Sequence, residues 1–240
     1  MNSKPARLVE CVGLPGAGKT TLCFALLGQG GWAHGNLLNT QLWRSWSLGH
    51  RLRLTAAALF WEVRTVGAVL RAIAALGMWR KPRSALRAMQ LPLQRYWLKQ
   101  QLERDRCNTG KGLLLDQGIG MVLWSVLDEA GCHSPSPAAT DRLVERLYRD
   151  VAVGFLFLEA DHVTASRRIA ERRGGSSRFD GLQHEIIVAR LAPTAGLLRR
   201  IENALAKIGV TTQALDATLS PEALAAQTAA TVGGSCGLSK

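Results

Sequence analysis

The chain has 240 residues, 47% of them hydrophobic, which is ample for one large core but short of several independent domains. Five cysteines with no C-x-x-C pair and no His-rich spacing exclude a disulfide framework and a zinc module, leaving reduced, packing thiols. The net charge of +12 is uneven: residues 40–107 hold 13 Lys/Arg against Glu62, Glu103 and Asp105, so the rest of the chain carries only +2.

Residues 1–7 lack the apolar core of a signal peptide and lead directly into a run of apolar residues at 8–12, so a cytoplasmic location is expected. That run reads as a strand. After it come Gly13, Leu14, Pro15, Gly16, Ala17, Gly18, Lys19, Thr20 and Thr21, opening an apolar helical pattern through Leu27. The chemistry of phosphate binding calls for these residue types. Glycines let successive backbone N–H groups turn inward, Lys19 reaches the β and γ phosphates, and the Thr20 hydroxyl can ligate Mg²⁺. A helix starting near Lys19 adds its positive dipole end. The segment therefore reads as a nucleoside triphosphate cradle.

Residues 36–39 are a weak strand candidate. Residues 41–107 read as several helices punctuated at Gly49, Lys81-Pro82 and Leu91-Pro92, and they hold five of the seven tryptophans. None can cross a membrane. Between Leu54 and Trp79 the longest charge-free runs are eight residues, against about 18–20 for a span. Glu62, Arg64 and Arg71 would cost about 8–10 kcal/mol at mid-bilayer, against about 3–5 gained from the apolar side chains. At 100° per residue, Arg53, Arg64 and Arg71 fall on one narrow stripe, open to solvent, to an anionic substrate or to a membrane surface. Glu62, an acid on an apolar face, reads first as half of a buried ion pair with an arginine, and second as a candidate substrate ligand.

Residues 112–116 form a second apolar strand, ending in Asp116. A carboxylate there sits beside the Mg²⁺ of a bound nucleotide, or else caps the helix starting near Gly120. Gln117 and Gly118 follow at the strand tip, where an acceptor would lie. A loop at 131–137 leads to a helix capped by Ser136-Pro137 and running to about Asp150. Residues 151–159 are a third strand, and Asp161 caps the helix after it. That helix carries Arg168 and Arg172 on one face and an Arg167/Glu171 pair. Gly174-Gly175-Ser176-Ser177 reads as a hinge, whose reach of about 17 Å from Arg173 would let Arg178 swing onto a phosphate. A fourth clear strand at 210–216 precedes a last helix beginning near Ser220-Pro221-Glu222, and residues 231–240 read as a frayed tail.

Strands alternating with helices imply a doubly wound parallel sheet with ligands at the carboxyl ends of its strands. With the cradle at residues 13–21, Leu113-Leu114-Leu115-Asp116, the run 155–161 with Arg168 and Arg172, Ser177-Arg178-Phe179-Asp180 and Ala214-Leu215-Asp216-Ala217, the sequence resembles thymidylate kinase and the related nucleoside and nucleotide kinases of the P-loop class. The resemblance covers about two thirds of the chain. It implies a three-layer α/β/α fold, with a parallel sheet of about five strands in one domain over residues 1–230, a helical insertion at about 40–107 and a lid at about 167–182. It also implies ATP with Mg²⁺ as phosphoryl donor, a small-molecule acceptor, and an adenine site beside Asp216 and Ala217. In this reading Lys19, Asp116, Arg168, Arg172 and Arg178 are catalytic, and Thr20 and Asp116 hold the metal. The family carries Asp-Arg after its third strand where this chain has Asp116-Gln117, and the family's Asp-Arg-(Glu)-Pro segment after the first helix is missing. The acceptor is thus left to the divergent segment. The competing function is a P-loop NTPase switch that engages a partner protein, a membrane surface or an acidic polymer through its basic, Trp-rich helices. No recognised nucleic-acid motif accompanies them, so nucleic acid is not the expected partner.

Overall fold

The computed structural model describes residues 8–35, 45–108, 112–132, 135–151, 153–171, 179 and 181–235, with side chains omitted at 105–108 and 229–235. Five parallel strands form one sheet: β1 (Leu8–Gly13), β2 (Trp32–His34), β3 (Gly112–Leu115), β4 (Val153–Glu159) and β5 (Thr211–Asp216), in the order β2-β3-β1-β4-β5. The helices are α1 (Lys19–Gly28), α2 (Leu48–Trp61), α3 (Val63–Ala75), α4 (Pro82–Ala88), α5 (Gln90–Asn108), α6 (Ile119–Glu129), α7 (Pro137–Tyr148), α8 (His162–Ala170), α9 (His184–Leu191), α10 (Ala195–Lys207) and α11 (Pro221–Ser235).

The period-2 geometry of a strand sends alternate residues of β1 to opposite faces. Val9 and Cys11 pack with Leu22 and Leu26 of α1 and Leu224 of α11. Leu8 and Val12 join the larger core with Leu98 of α5, Leu123 of α6, Leu147 of α7 and Ile201 of α10. Both faces are covered, which is why β1 and β3 are buried along their whole length. The expected three-layer parallel architecture is what the chain forms, with the switch in strand order between β3 and β1 at the crevice that follows Gly13.

Several local expectations change. The second strand is Trp32–His34, whereas the candidate at 36–39 lies outside the described residues. Gly49 sits inside the first turn of α2 and breaks nothing; Pro82 opens α4, and Pro92 lies in the first turn of α5. The long basic helix is interrupted at Glu62, so Arg53 is on α2 while Arg64 and Arg71 are on α3, and the three do not form one stripe. The cause is tertiary: Glu62 leaves helical geometry (φ −106°, ψ 24°) as its carboxylate turns inward to Arg95 of α5. The last helix continues to Ser235, past the point where fraying was expected.

Candidate active site

β1 ends against the loop 14–18, and the glycines there answer to tight space. Gly16 and Gly18 have φ of 85° and 93°, conformations that side chains resist. A Cβ on Gly16 would stand 2.3 Å from the Ala165 carbonyl oxygen of α8, and one on Gly13 would stand 2.7 Å from that of Leu158. Ala17 is buried, Pro15 half-buried, and Thr20 and Thr21 are exposed at the start of α1. No side chain caps the first turn of α1, since its cap residue is Gly18. Its leading N–H groups and dipole are thus available to an anion. The Lys19 ammonium folds across the loop, donating to the carbonyls of Gly13 at 2.8 Å and Leu14 at 2.9 Å.

β3 lies beside β1, and its end brings the second expected residue to the loop. The Thr20 hydroxyl donates to Asp116 Oδ2 at 3.3 Å across 96 residues of sequence. Gln117 is exposed one residue further on. His34, at the tip of β2, places Nε2 3.8 Å from Asp116 Oδ1. Sequence reading missed this histidine, because the second strand was placed after it. Gly35 then passes so close to β3 that a Cβ would stand 2.5 Å from Leu115 Cδ2.

The opposite wall is α8 with the end of β5. Asp161 Oδ1 accepts from the N–H groups of Val163 and Thr164, and a side-chain bond from Thr164, with these backbone bonds beside it, holds its carboxyl below the ordinary range. The expected cap is therefore in place. The Arg168 guanidinium donates to the Ala217 carbonyl at 2.9 Å, tying α8 to the loop after β5. Ala217 is buried and its N–H donates to the Glu159 carbonyl. Asp216 is exposed and accepts from the Thr218 N–H at 2.9 Å, which lowers its pKa. Arg172, Arg178 and the glycine-serine hinge lie outside the described residues.

A second missed residue is Glu10, the one acid of β1, which is fully buried on the face toward α6. Its Oε1 accepts from the Gly120 N–H at 2.6 Å and its Oε2 from the Tyr148 hydroxyl at 2.9 Å. Burial dominates over these bonds and pushes its pKa from 4.5 up to about 7. The carboxylate fills the space where a Gly118 Cβ would be, 1.9 Å from Glu10 Cδ. Glu10 thus fixes the turn that leaves Asp116 for α6. A lone carboxylate inside an apolar strand was the signal for it.

Glu62 departs from the role of substrate ligand. Its carboxylate is paired with Arg95, accepts from Thr65 Oγ1 at 2.6 Å and lies 3.2 Å from Lys99 Nζ. Burial opposes its ionisation, yet the Thr65 bond and the charges of Arg95 and Lys99 prevail and hold its pKa below 4.5. Arg95 in turn donates to the carbonyls of Leu147 and Arg149 at the end of α7, the end that leads into β4. The pair therefore sits at the amino edge of the sheet, away from the loop that follows β1.

No protein-family model matches the sequence, and no curated protein matches it. Among solved structures, deoxyadenosine kinase from M. mycoides with the products dCMP and a flexible dCDP bound matches with a TM-score of 0.51 and 13% identity, over 95% of this chain and 99% of that one. The same kinase with bound dATP matches with a TM-score of 0.48 and 12% identity, over 94% and 99% of the two chains. The chain shares the α/β fold of that deoxyadenosine kinase.

Proposed function

We propose that the protein is an ATP-dependent small-molecule kinase, transferring the γ-phosphoryl group to a nucleoside, a nucleotide or another hydroxyl or phosphate acceptor. The observation that carries this reading is the meeting of Thr20 and Asp116 beside Lys19, at the mouth of a glycine cradle. The donor set fits a metal-bound triphosphate: an alcohol and a carboxylate side by side, an ammonium that donates to two loop carbonyls, and uncapped helix N–H groups. Thr20 and Asp116 would hold Mg²⁺, which when bound draws charge from the phosphate oxygens.

The residues divide the remaining work. The N–H groups around Gly13, Pro15, Gly16, Ala17, Gly18, Lys19, Thr20 and Thr21 hold the β and γ phosphates. Lys19 exchanges its two carbonyl partners for phosphate oxygen, a trade of neutral hydrogen bonds for charge-assisted ones. Asp216 and Ala217 flank the adenine, and Arg168 keeps that loop against α8. Arg172 and Arg178 supply positive charge to the transferred group. The acceptor lies between Gln117, His34 and the insertion helices, where Asp116 or His34 takes its proton.

The test is ATP consumption by the purified chain over a panel of nucleosides, nucleotides, sugars and alcohols. An acceptor-dependent rate with a phosphorylated product, abolished by Lys19→Ala, is expected. Hydrolysis that no acceptor stimulates would refute it.

A further inference from the structure

The arginines of α3 do not face open solvent alone; they meet a second set on α7. Two adjoining hollows of about 390 and 360 Å³ open between these helices, and Arg71, Arg146 and Arg149 line both. Arg64 closes one and Arg142 the other. Arg146 Nε is buried with no partner, and burial together with the charges of Arg95, Arg64 and Arg149 pushes its pKa below the ordinary arginine value. The neighbouring carboxylates are engaged: Glu62 by Arg95, Glu145 by Arg149, and Asp141 by Lys207. The arginines are thus in excess, and an N–H group points at nothing.

The rim of this cavity is apolar. Val63 lines it, and the chain just before, through Leu59, Phe60 and Trp61, is exposed, with Phe60 at 74% and Trp61 at 69%. On α2, Leu48, Leu52, Leu59 and Phe60 fall within about 120° of one another around the helix axis, and all four are exposed. From residue 45 to residue 102 the sequence contains one acid, Glu62, and that one is buried. A second copy of the chain would bring the same positive charge to this surface. An anionic bilayer offers what it lacks, phosphate for the arginines and hydrocarbon for the ridge.

We propose that the α3/α7 cavity takes the phosphate of an anionic phospholipid, while the ridge 59–63 enters the membrane interface. Among the described residues no helix is long and apolar enough to cross a membrane, so the contact is peripheral. The inference goes beyond the kinase reading and does not depend on it.

Co-sedimentation of the full chain with vesicles tests it, using phosphatidylcholine alone and phosphatidylcholine with phosphatidylglycerol. Binding only to the anionic vesicles is expected. Arg71→Gln with Arg146→Gln should weaken it about 25-fold, or about 1 kcal/mol for each arginine. Phe60→Ser with Trp61→Ser should weaken it as well. The charge-matched pair Arg199→Gln and Arg200→Gln on α10 should cost little. Each variant's thermal melt confirms folding, and Lys19→Ala should leave vesicle binding unchanged while abolishing turnover. Equal binding to both vesicles, or equal losses from the cavity pair and the α10 pair, would overturn the proposal. Calorimetric binding of soluble glycerol phosphate without vesicle binding would reject the lipid as its source.

Discussion

Glu10→Gln is expected to stabilise the protein at alkaline pH and to do little at acid pH. In the folded chain the Glu10 carboxyl titrates near 7 instead of 4.5 because it is wholly buried. Below 4.5 both folded and unfolded chains are protonated there; between 4.5 and 7 only the folded chain keeps the proton. Stability from this group is therefore full at low pH and lost as pH rises through 7, by about 3 kcal/mol in all. Glutamine mimics the protonated acid: its carbonyl can accept from Gly120 N–H and its amide can donate to the Tyr148 oxygen. Urea unfolding followed by tryptophan fluorescence at about pH 4 and about pH 8.5 measures the difference. The variant should gain up to about 3 kcal/mol on the wild type at the higher pH, and the two should converge at the lower. A separation that stays constant across this range would refute the reasoning.

Glu62→Gln leaves Arg95 buried without its carboxylate and should cost about 3–5 kcal/mol, part of which Arg95→Met in the same chain should return; thermal or urea unfolding reads both. Gly118→Ala drives a methyl group into the Glu10 carboxylate and should cost about 1–3 kcal/mol by the same measurement. Gly16→Ala meets both a positive φ and the Ala165 carbonyl, so nucleotide binding should disappear in calorimetry. Asp116→Asn should lower kcat by about 10²-fold or more, with a raised magnesium requirement in a steady-state titration.

The cradle was legible because its chemistry is local: glycine spacing, a lysine and a hydroxyl all lie within nine residues. Asp116 was legible for a similar reason, as the carboxylate that ends an apolar strand. What joins them, the β1–β3 pairing of Leu8 with Leu113, is a long-range contact: alternation implies a parallel sheet but leaves open which strands are neighbours. The strand Trp32–His34 was missed because it is three residues at an edge of the sheet, too short and too exposed for a pattern, and His34 was lost with it. The corner at Glu62 has no Gly or Pro to announce it; the break depends on Arg95, 33 residues away. Glu10 was visible as an oddity within β1, but its partners come from α6 and α7, which no local pattern connects to it. The basic surplus of residues 40–107 was plain in the composition, whereas its convergence with Arg142, Arg146 and Arg149 required the packing of α3 on α7.

The most direct test of the central claim is calorimetric titration of the protein with ATP, in magnesium and in chelator, for the wild type, Lys19→Ala and Asp116→Asn. If one metal-bound triphosphate bridges the cradle and the facing carboxylate, the wild type binds tightly only with magnesium, Asp116→Asn needs more magnesium to reach the same affinity, and Lys19→Ala loses most of the binding. No heat with the wild type, or the same affinity in all three proteins, would contradict it.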